Sequence, residues 1–593
     1  MHFLFWSGTA MWTTRDWELH FSNSITNNAA SLRAPLAGHE ATFDMDGQTW
    51  TLPGSFDLYS GRGGRIVMKN GFLNIGGEMA LSATSDLDGV QTNGILVANN
   101  MQTECSIMNI DGVHARFDGG TLSSEGSIKV GVTASSGDMN ASSLTLDGGV
   151  QCAIGHDLKL GDGGNTTGIF ENVTGNLEVT NQLNVGANGY GSLVLRGGTM
   201  QNSGALYHYV AAGESSVGVM DISGGTNMLA PSGANFLFGR LGKAYLFGSD
   251  GQNTINCTVQ MAYYAGSEAE MTLSGGEWDI AGALQCGRLG QARLICSGAE
   301  LNVSSSLYLG YDSNGSGELE ITGGQVFCGG NIPMGFKTGA SATLLLADEG
   351  ILRCNRIYKY NSEASIQTSV TFDGGTLQAG YSGSLIDSVD SVCLSTNGLT
   401  VDTMGYNSTI ASELQNLDDQ DGALTKLGSG TLSLTAARTA TGPVSIYSGT
   451  LVANHDISVA DGISKLNGTL TFNSGLLSLS AGAALSGTGT VTSVAMADGA
   501  VLCRDKSDHA TTPLNAESFT TDGALTIELT GYSLEELYSA VPLIRTTSSL
   551  DVSSATVTLE GDANPRLNAM TRKDQDYNVL VVGYNSGTFI TIR

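Results

Sequence analysis

The amino-acid sequence predicts an all-β chain: a right-handed parallel β-helix, or solenoid, with about 25 residues per coil and three short sheets. Three observations predict it. First, a short strand closing on glycine recurs on a fixed beat: Leu158-Lys159-Leu160-Gly161, then Leu183-Asn184-Val185-Gly186, Phe236-Leu237-Phe238-Gly239, Val259-Gln260-Met261-Ala262, Leu284-Gln285-Cys286-Gly287, Leu307-Tyr308-Leu309-Gly310 and Ile332-Pro333-Met334-Gly335. Looser copies are Leu206-Tyr207-His208-Tyr209 and Ile357-Tyr358-Lys359-Tyr360, which fall on the same beat as the others. Second, glycine doublets keep the same beat, at Gly148-Gly149, Gly197-Gly198, Gly224-Gly225, Gly275-Gly276, Gly323-Gly324 and Gly374-Gly375. Third, apolar residues alternate with period two, as in Leu193-Val194-Leu195 and Leu319-Glu320-Ile321. Alternation puts one set of side chains on one face of a strand.

A helical repeat would space its apolar residues by three and four over long runs, and no such run recurs. Three strands and three turns use up one unit, so each unit is one coil, stacked on the next at about 4.8 Å. Parallel strands joined by crossovers give the right-handed winding. The first and third residues of each closing strand face inward, and both columns are apolar except at His208 and Lys359. Glycine marks corners where φ must be positive. Over twenty coils of this size are expected from 593 residues.

In chain order, residues 1–60 are expected to form an N-terminal cap, with Trp6, Trp12 and Trp17 covering the open end of the core. Residues 61–141 read as irregular first β-coils, 142–380 as the regular repeats and 381–420 as a transition, in which Thr409 to Asp418 suits one or two helical turns. Residues 421–502 carry a different repeat that should continue the same solenoid. Residues 503–593 read as closing strands at Leu525–Leu529, Val557–Leu559, Val579–Val581 and Phe589–Ile592. Between them Ser533 and Glu536 form a capping box that opens a short helix to about Ser539.

Composition narrows the class. Of 593 residues 81 are Gly, about twice the usual share, and only 8 are Pro. Charged residues are 14%, low for a cytosolic enzyme, and Ser, Thr and Asn do the polar work, as suits a secreted β-protein. The net charge of −29 argues against nucleic-acid and anionic-membrane partners. The nine Cys include no CxxC pair, so no zinc site is expected. Cys328 and Cys354 fall in equivalent slots of neighbouring coils and are expected as stacked buried thiols. No apolar run approaches the ~20 residues of a membrane span. Met1 to Trp6 lacks the basic stretch and long apolar core of a signal peptide. No barrel-forming strand set or sorting tail is legible, so the expectation is of a chain that does not insert into a membrane itself.

The second repeat runs Leu424-Thr425-Lys426-Leu427-Gly428-Ser429-Gly430-Thr431-Leu432-Ser433-Leu434, then Thr441-Gly442-Pro443-Val444, then Gly449-Thr450-Leu451. Partial echoes are Ile463 to Leu470, Leu485 to Val491 and Asp498 to Leu502. Residues 424–451 resemble the autotransporter-associated β-strand repeat, the passenger-associated repeat of large bacterial surface proteins. Two features depart from that pattern: Pro443 after Gly442, and Ala436 to Ala440 where the family has an Asn-Thr-Tyr-like turn. The tryptophan-spaced opening at Trp6, Trp12 and Trp17 is also similar to the family. The resemblance implies a passenger domain, secreted or exposed on the bacterial outer surface. The function expected for such a chain is that of a non-enzymatic, adhesin-like stalk or passenger, with glycans or a host surface as partners.

The rival expectation is a β-helix polysaccharide lyase or glycoside hydrolase, which needs clustered carboxylates with Lys, Arg or His on one outer face. Asp118, Asp147 and Asp373 precede Gly-Gly turns, but the sequence reading does not place them on adjacent coils. Asp in a turn is expected for its side-chain to backbone hydrogen bonds. His208 is expected as a satisfied core histidine. No catalytic, metal or cofactor motif is present. A third expectation is a self-assembling surface fibre, pairing end to end through open β-edges.

One constellation carries binding chemistry. The residue after the closing glycine points outward at a corner, and on five successive coils it is Arg240, Tyr263, Arg288, Tyr311 and Phe336. These side chains would stack as an arginine–aromatic ladder, flanked by Tyr207, Tyr308 and Tyr358. Two readings stay open: a self-stacking corner that stiffens the solenoid, or a groove whose rings carry sugar faces while Arg donates to hydroxyls or carboxylates.

Overall fold

The structure is a computed structural model and describes residues 16–26, 31–33, 35, 38–59, 64–82, 94–132, 141–508, 512–550 and 554–584. It is a β-solenoid of about 19 turns with ~25 residues per coil, 62% strand and 1% helix. The turn count falls short of the more than twenty expected, and the C-terminal strands pair antiparallel. Trp6, Trp12 and the strand Phe589–Ile592 lie outside the described residues. The chain divides into two units: residues 1–319 with 324–327 and 335–341, and residues 320–323, 328–334 and 342–593.

In the first unit, three parallel ladders run from coil to coil. One joins Ala141–Asp147, Thr167–Asn172, Tyr190–Leu195 and Val217–Ala230. The second joins Gln151–Ile154, Asn176–Val179 and Thr199–Asn202, then enters the same long strand Val217–Ala230. The third joins Ile128–Val130, Leu158–Leu160, Leu183–Val185, Tyr207–Val210, Asn235–Phe238, Thr258–Met261, Leu284–Cys286 and Leu307–Leu309. Alternation dictates the inside. Leu160, Val185, Val210, Phe238, Met261, Cys286 and Leu309 form one column at 0% exposure. Full burial of such a side chain contributes roughly 1.5–3 kcal/mol. Among the described residues of the earlier coils, Arg65–Ser82 and Gly94–Asp111 pair in register along most of their length, with one shift between Ile75 and Glu78. Trp17 packs edge-on against Phe43 at 5.0 Å, and Trp50 is buried beneath them.

The corner after the third ladder fixes the choice of glycine. Gly161, Gly186, Gly239, Gly287, Gly310 and Gly335 have φ between 63° and 75°. A Cβ on Gly287 would also meet the Ser316 carbonyl oxygen at 2.0 Å. Ala211 and Ala262 fill the same slot at φ 58° and 53°. That corrects one coil of the repeat. The copy is His208-Tyr209-Val210-Ala211, two positions later than the sequence pattern suggests, because Tyr209 pairs Asn184 and Val210 pairs Val185.

In the second unit, residues 400–420 form short strands and the turns between them. Ser408–Ile410 and Leu414–Asn416 replace the expected helical turns, each paired with a strand of the previous coil. The coils then shorten. Leu424 pairs Val444, and Thr431, Thr450, Thr469 and Thr490 stack one above another, at a closer sequence spacing than the coils before them. Glu536–Tyr538 is a single 3-10 turn rather than a helix to Ser539, with Ser533 donating both its N–H and its hydroxyl to the Glu536 carboxylate at 2.9 Å. The unit closes with antiparallel pairing: Tyr577–Tyr584 lies between Val541–Thr546 and Leu567–Asp574.

Candidate functional site

The corner ladder is built by the backbone first. The N–H of Tyr263 donates to Gly239 O at 2.8 Å, that of Tyr311 to Gly287 O at 2.9 Å and that of Phe336 to Gly310 O at 2.9 Å. Arg288 N–H donates to Met261 O at 2.9 Å. Each corner residue is thus pinned to the coil before it. Arg240, Tyr263, Arg288, Tyr311 and Phe336 are all half-buried, as expected for one outward edge.

Their side chains gather in two clusters. In one, the Arg288 guanidinium lies over the Tyr263 ring at 3.9 Å, Tyr263 meets Tyr264 edge-on at 4.7 Å, and Arg240 sits 5.8 Å from Tyr264 and 5.3 Å from Tyr209. Tyr209 stacks with Tyr207 at 6.2 Å. Burial pushes the Tyr209 hydroxyl up in pKa. In the other, Tyr311 and Phe336 stack at 5.0 Å, with Tyr308 edge-on to both at 5.0 and 6.0 Å. The five named residues are brought together on one edge. Sequence reasoning missed Tyr209 and Tyr264. Tyr209 became visible only with the corrected register, and Tyr264 directly follows a corner residue.

Other candidates resolve into structure. His208 is fully buried; its Nε2 lies 2.9 Å from Gly204 O, and Nδ1 accepts from Leu183 N–H at 3.2 Å and Asn202 at 3.0 Å. Those contacts assign the Nε2–H tautomer and a neutral ring, and burial pulls its pKa down. Lys359 points inward but donates to Ile366 O at 3.0 Å and to both oxygens of Asp390 at 2.7 and 2.9 Å. Nearby, Arg356 lies over Tyr358 at 4.1 Å and is bound by Asp387 through two bonds of 2.9 and 2.7 Å. Burial raises the Asp387 carboxyl, but Arg356 and Ser384 outweigh it and hold it below the usual range.

Asp118 and Asp147 do sit on adjacent coils, directly in register, contrary to the sequence reading. Arg116 ion-pairs with both, and the Thr174 hydroxyl and Gly148 N–H bind Asp147, holding its carboxyl low. Glu18, His20 and Asp44 converge closely enough to share an ion, yet the Lys69 ammonium lies 2.8 Å from Glu18 and 3.4 Å from Asp44. None of the nine cysteines is in a disulfide, and Cys328 and Cys354 are both buried. Burial pushes the Cys286 thiol up to about 12 and those of Cys105 and Cys257 up to about 11. Thiols held that high are poor nucleophiles.

The segment from Leu424 to Leu451 has its own internal chemistry. Lys426 is fully buried, and its ammonium donates to Leu427 O and Gly428 O at 2.7 Å and to Ser448 O and the Thr403 hydroxyl at 3.2 Å. Arg438 is buried likewise and donates to Gly422 O, Gly442 O and Ser458 O. These cations cap carbonyls that the short coils turn inward. Scans of the chain against protein-family models, curated proteins and solved structures return no match.

Proposed function

We propose that this chain is a non-enzymatic β-helix passenger, secreted or exposed on a bacterial surface, an adhesin-like stalk that holds glycans along its arginine–aromatic edge. One observation carries the reading. Half-exposed rings and guanidiniums alternate along consecutive coils, with Arg288 3.9 Å from Tyr263 and Arg240 5.3 Å from Tyr209, at a spacing fixed by the backbone. Flat rings suit sugar faces and guanidinium donors suit hydroxyls and carboxylates. The carboxylate–cation groups that an acid–base mechanism would use are instead saturated by one another, as in Arg356 with Asp387 and Lys359 with Asp390. The Lys426 repeat supports the passenger assignment through its resemblance.

Retention on immobilised mucin-type glycans tests the reading. Tyr311→Ala and Arg288→Ala are expected to lose retention with the melting temperature nearly unchanged. The opposite pattern, a stability loss of order 1 kcal/mol per stacking partner with retention intact, makes the ladder structural. Incubation with uronic-acid polymers tests the enzyme alternative, and cleavage abolished by Asp147→Asn would replace the passenger reading.

A further inference from the structure

Resting on the glycan reading of this edge, we infer that it selects anionic glycans, bearing carboxylates or sulfates, and that Arg288 is the anchoring group. Three arginines among the described residues lie on tyrosine rings at nearly the same distance, and they differ in how their charge is compensated. Arg545 sits 4.0 Å from Tyr577 and ion-pairs with Asp574 at 3.6 Å. Arg356 sits 4.1 Å from Tyr358 and is cancelled by the two-pronged bond to Asp387. Arg288 sits 3.9 Å from Tyr263, and its Nε has no hydrogen-bond partner. The carboxylate in whose field it lies is Asp312, and Asp312 is taken by Lys337 at 2.8 Å. The Lys337–Asp312 pair therefore neutralises itself and leaves the Arg288 charge for a ligand. Arg240, two coils earlier, adds a second cation, with one terminal nitrogen on Ala212 O at 3.2 Å and Glu214 exposed in the connection that follows.

Arg288 Nε is buried, so the guanidinium held flat on the ring meets paired acceptors through its two terminal nitrogens, and a carboxylate or sulfate matches that pair. The stacking also removes rotamer freedom before binding, which lowers the cost of ordering it. A chain of net charge −29 repels polyanions elsewhere, so this local excess of positive charge sets where an anionic polymer lands. Nucleic acid would present the same phosphate chemistry along its whole length and would meet that repulsion throughout.

The test uses the full chain on immobilised polygalacturonate and heparin, with neutral dextran and mannan beside them and single-stranded DNA as a further arm. Retention is expected on the two anionic polymers and to fall as salt rises. Arg288→Ala should weaken it about tenfold or more. Lys337→Met should weaken it several-fold although Lys337 is not the anchor, because it frees Asp312 to neutralise Arg288. Asp312→Asn should strengthen it. Arg356→Ala should leave retention unchanged and lower the melting temperature. Equal retention on neutral and anionic polymers, insensitive to Arg288→Ala, overturns the anionic selection and leaves glycan binding standing. No retention on any glycan overturns both. Tighter retention on DNA than on either polymer overturns the glycan assignment.

Discussion

Lys426 is the most informative residue to perturb in the shortened coils. Its ammonium is fully buried and has four acceptors and no carboxylate among its hydrogen-bond partners. Burial pulls its pKa from 10.5 down to about 8, the Asp402 charge opposing only in part. The sign follows from proton counts. Below 8 both folded and unfolded chains hold the proton. Between about 8 and 10.5 the unfolded chain holds it and the folded chain releases it, so stability rises with pH across that window. Each pH unit is worth about 1.4 kcal/mol, so the full rise approaches ~3 kcal/mol. Lys426→Met keeps the length of the side chain and removes the titration. It also takes the ammonium from Gly428 O and Ser448 O, a loss of roughly 1–3 kcal/mol for each carbonyl left without a donor. The assay is urea unfolding of both proteins by circular dichroism from about pH 7.5 to about pH 10.5. The wild type should gain on the variant as pH rises. Parallel stability curves through this window would falsify the buried-cation account.

Four other perturbations have defined outcomes. Gly287→Val should destabilise its coil by more than ~2 kcal/mol, since φ is 75° and the new Cβ meets Ser316 O, whereas Ala262→Gly at the same slot should be neutral or stabilising by chemical denaturation. His208 is buried neutral with a lowered pKa, so stability should fall as pH drops below about 6.5, and His208→Gln should flatten that dependence in thermal melts. Asp387 has a depressed pKa, so its contribution should be present above the usual carboxylate range and lost as pH falls through it; Asp387→Asn should cost ~3 kcal/mol at neutral pH by leaving Arg356 unpaired and part-buried. A thiol reagent on the folded protein should modify Cys393 first; Cys503 is also half-buried but burial pushes its thiol up to about 11, so it should follow more slowly, and the seven buried thiols only on unfolding.

The ladder was legible because one slot per coil demands a positive φ, and glycine answers that demand visibly in sequence. The coil of Tyr207 was misplaced by two positions for the same reason: Ala211 takes the slot, and the cue disappears. The adjacency of Asp118 and Asp147 was hidden because the coil between them is longer than the usual step. The corner positions on consecutive coils were readable as a set, whereas Tyr209 and Tyr264 join them through three-dimensional packing that no spacing rule encodes. Lys426 was legible as a motif residue but not as a buried cation. Its burial depends on short coils that aim carbonyls inward, a geometry that the longer upstream repeat does not foreshadow.

The closing slot and the position after it obey opposite rules. In the first unit the slot admits Gly and, in two coils, Ala. The next residue owes the fold little beyond its backbone N–H, and across the coils it is already an acid at Asp162, a small residue at Ala187, a base at Arg288 and an aromatic at Tyr311. Drift at that position can therefore exchange one surface chemistry for another while every strand keeps its partners. In evolutionary terms, the corner is a row of interchangeable keys on a keyboard that does not change, and single substitutions alter its charge and aromatic character without touching the coils.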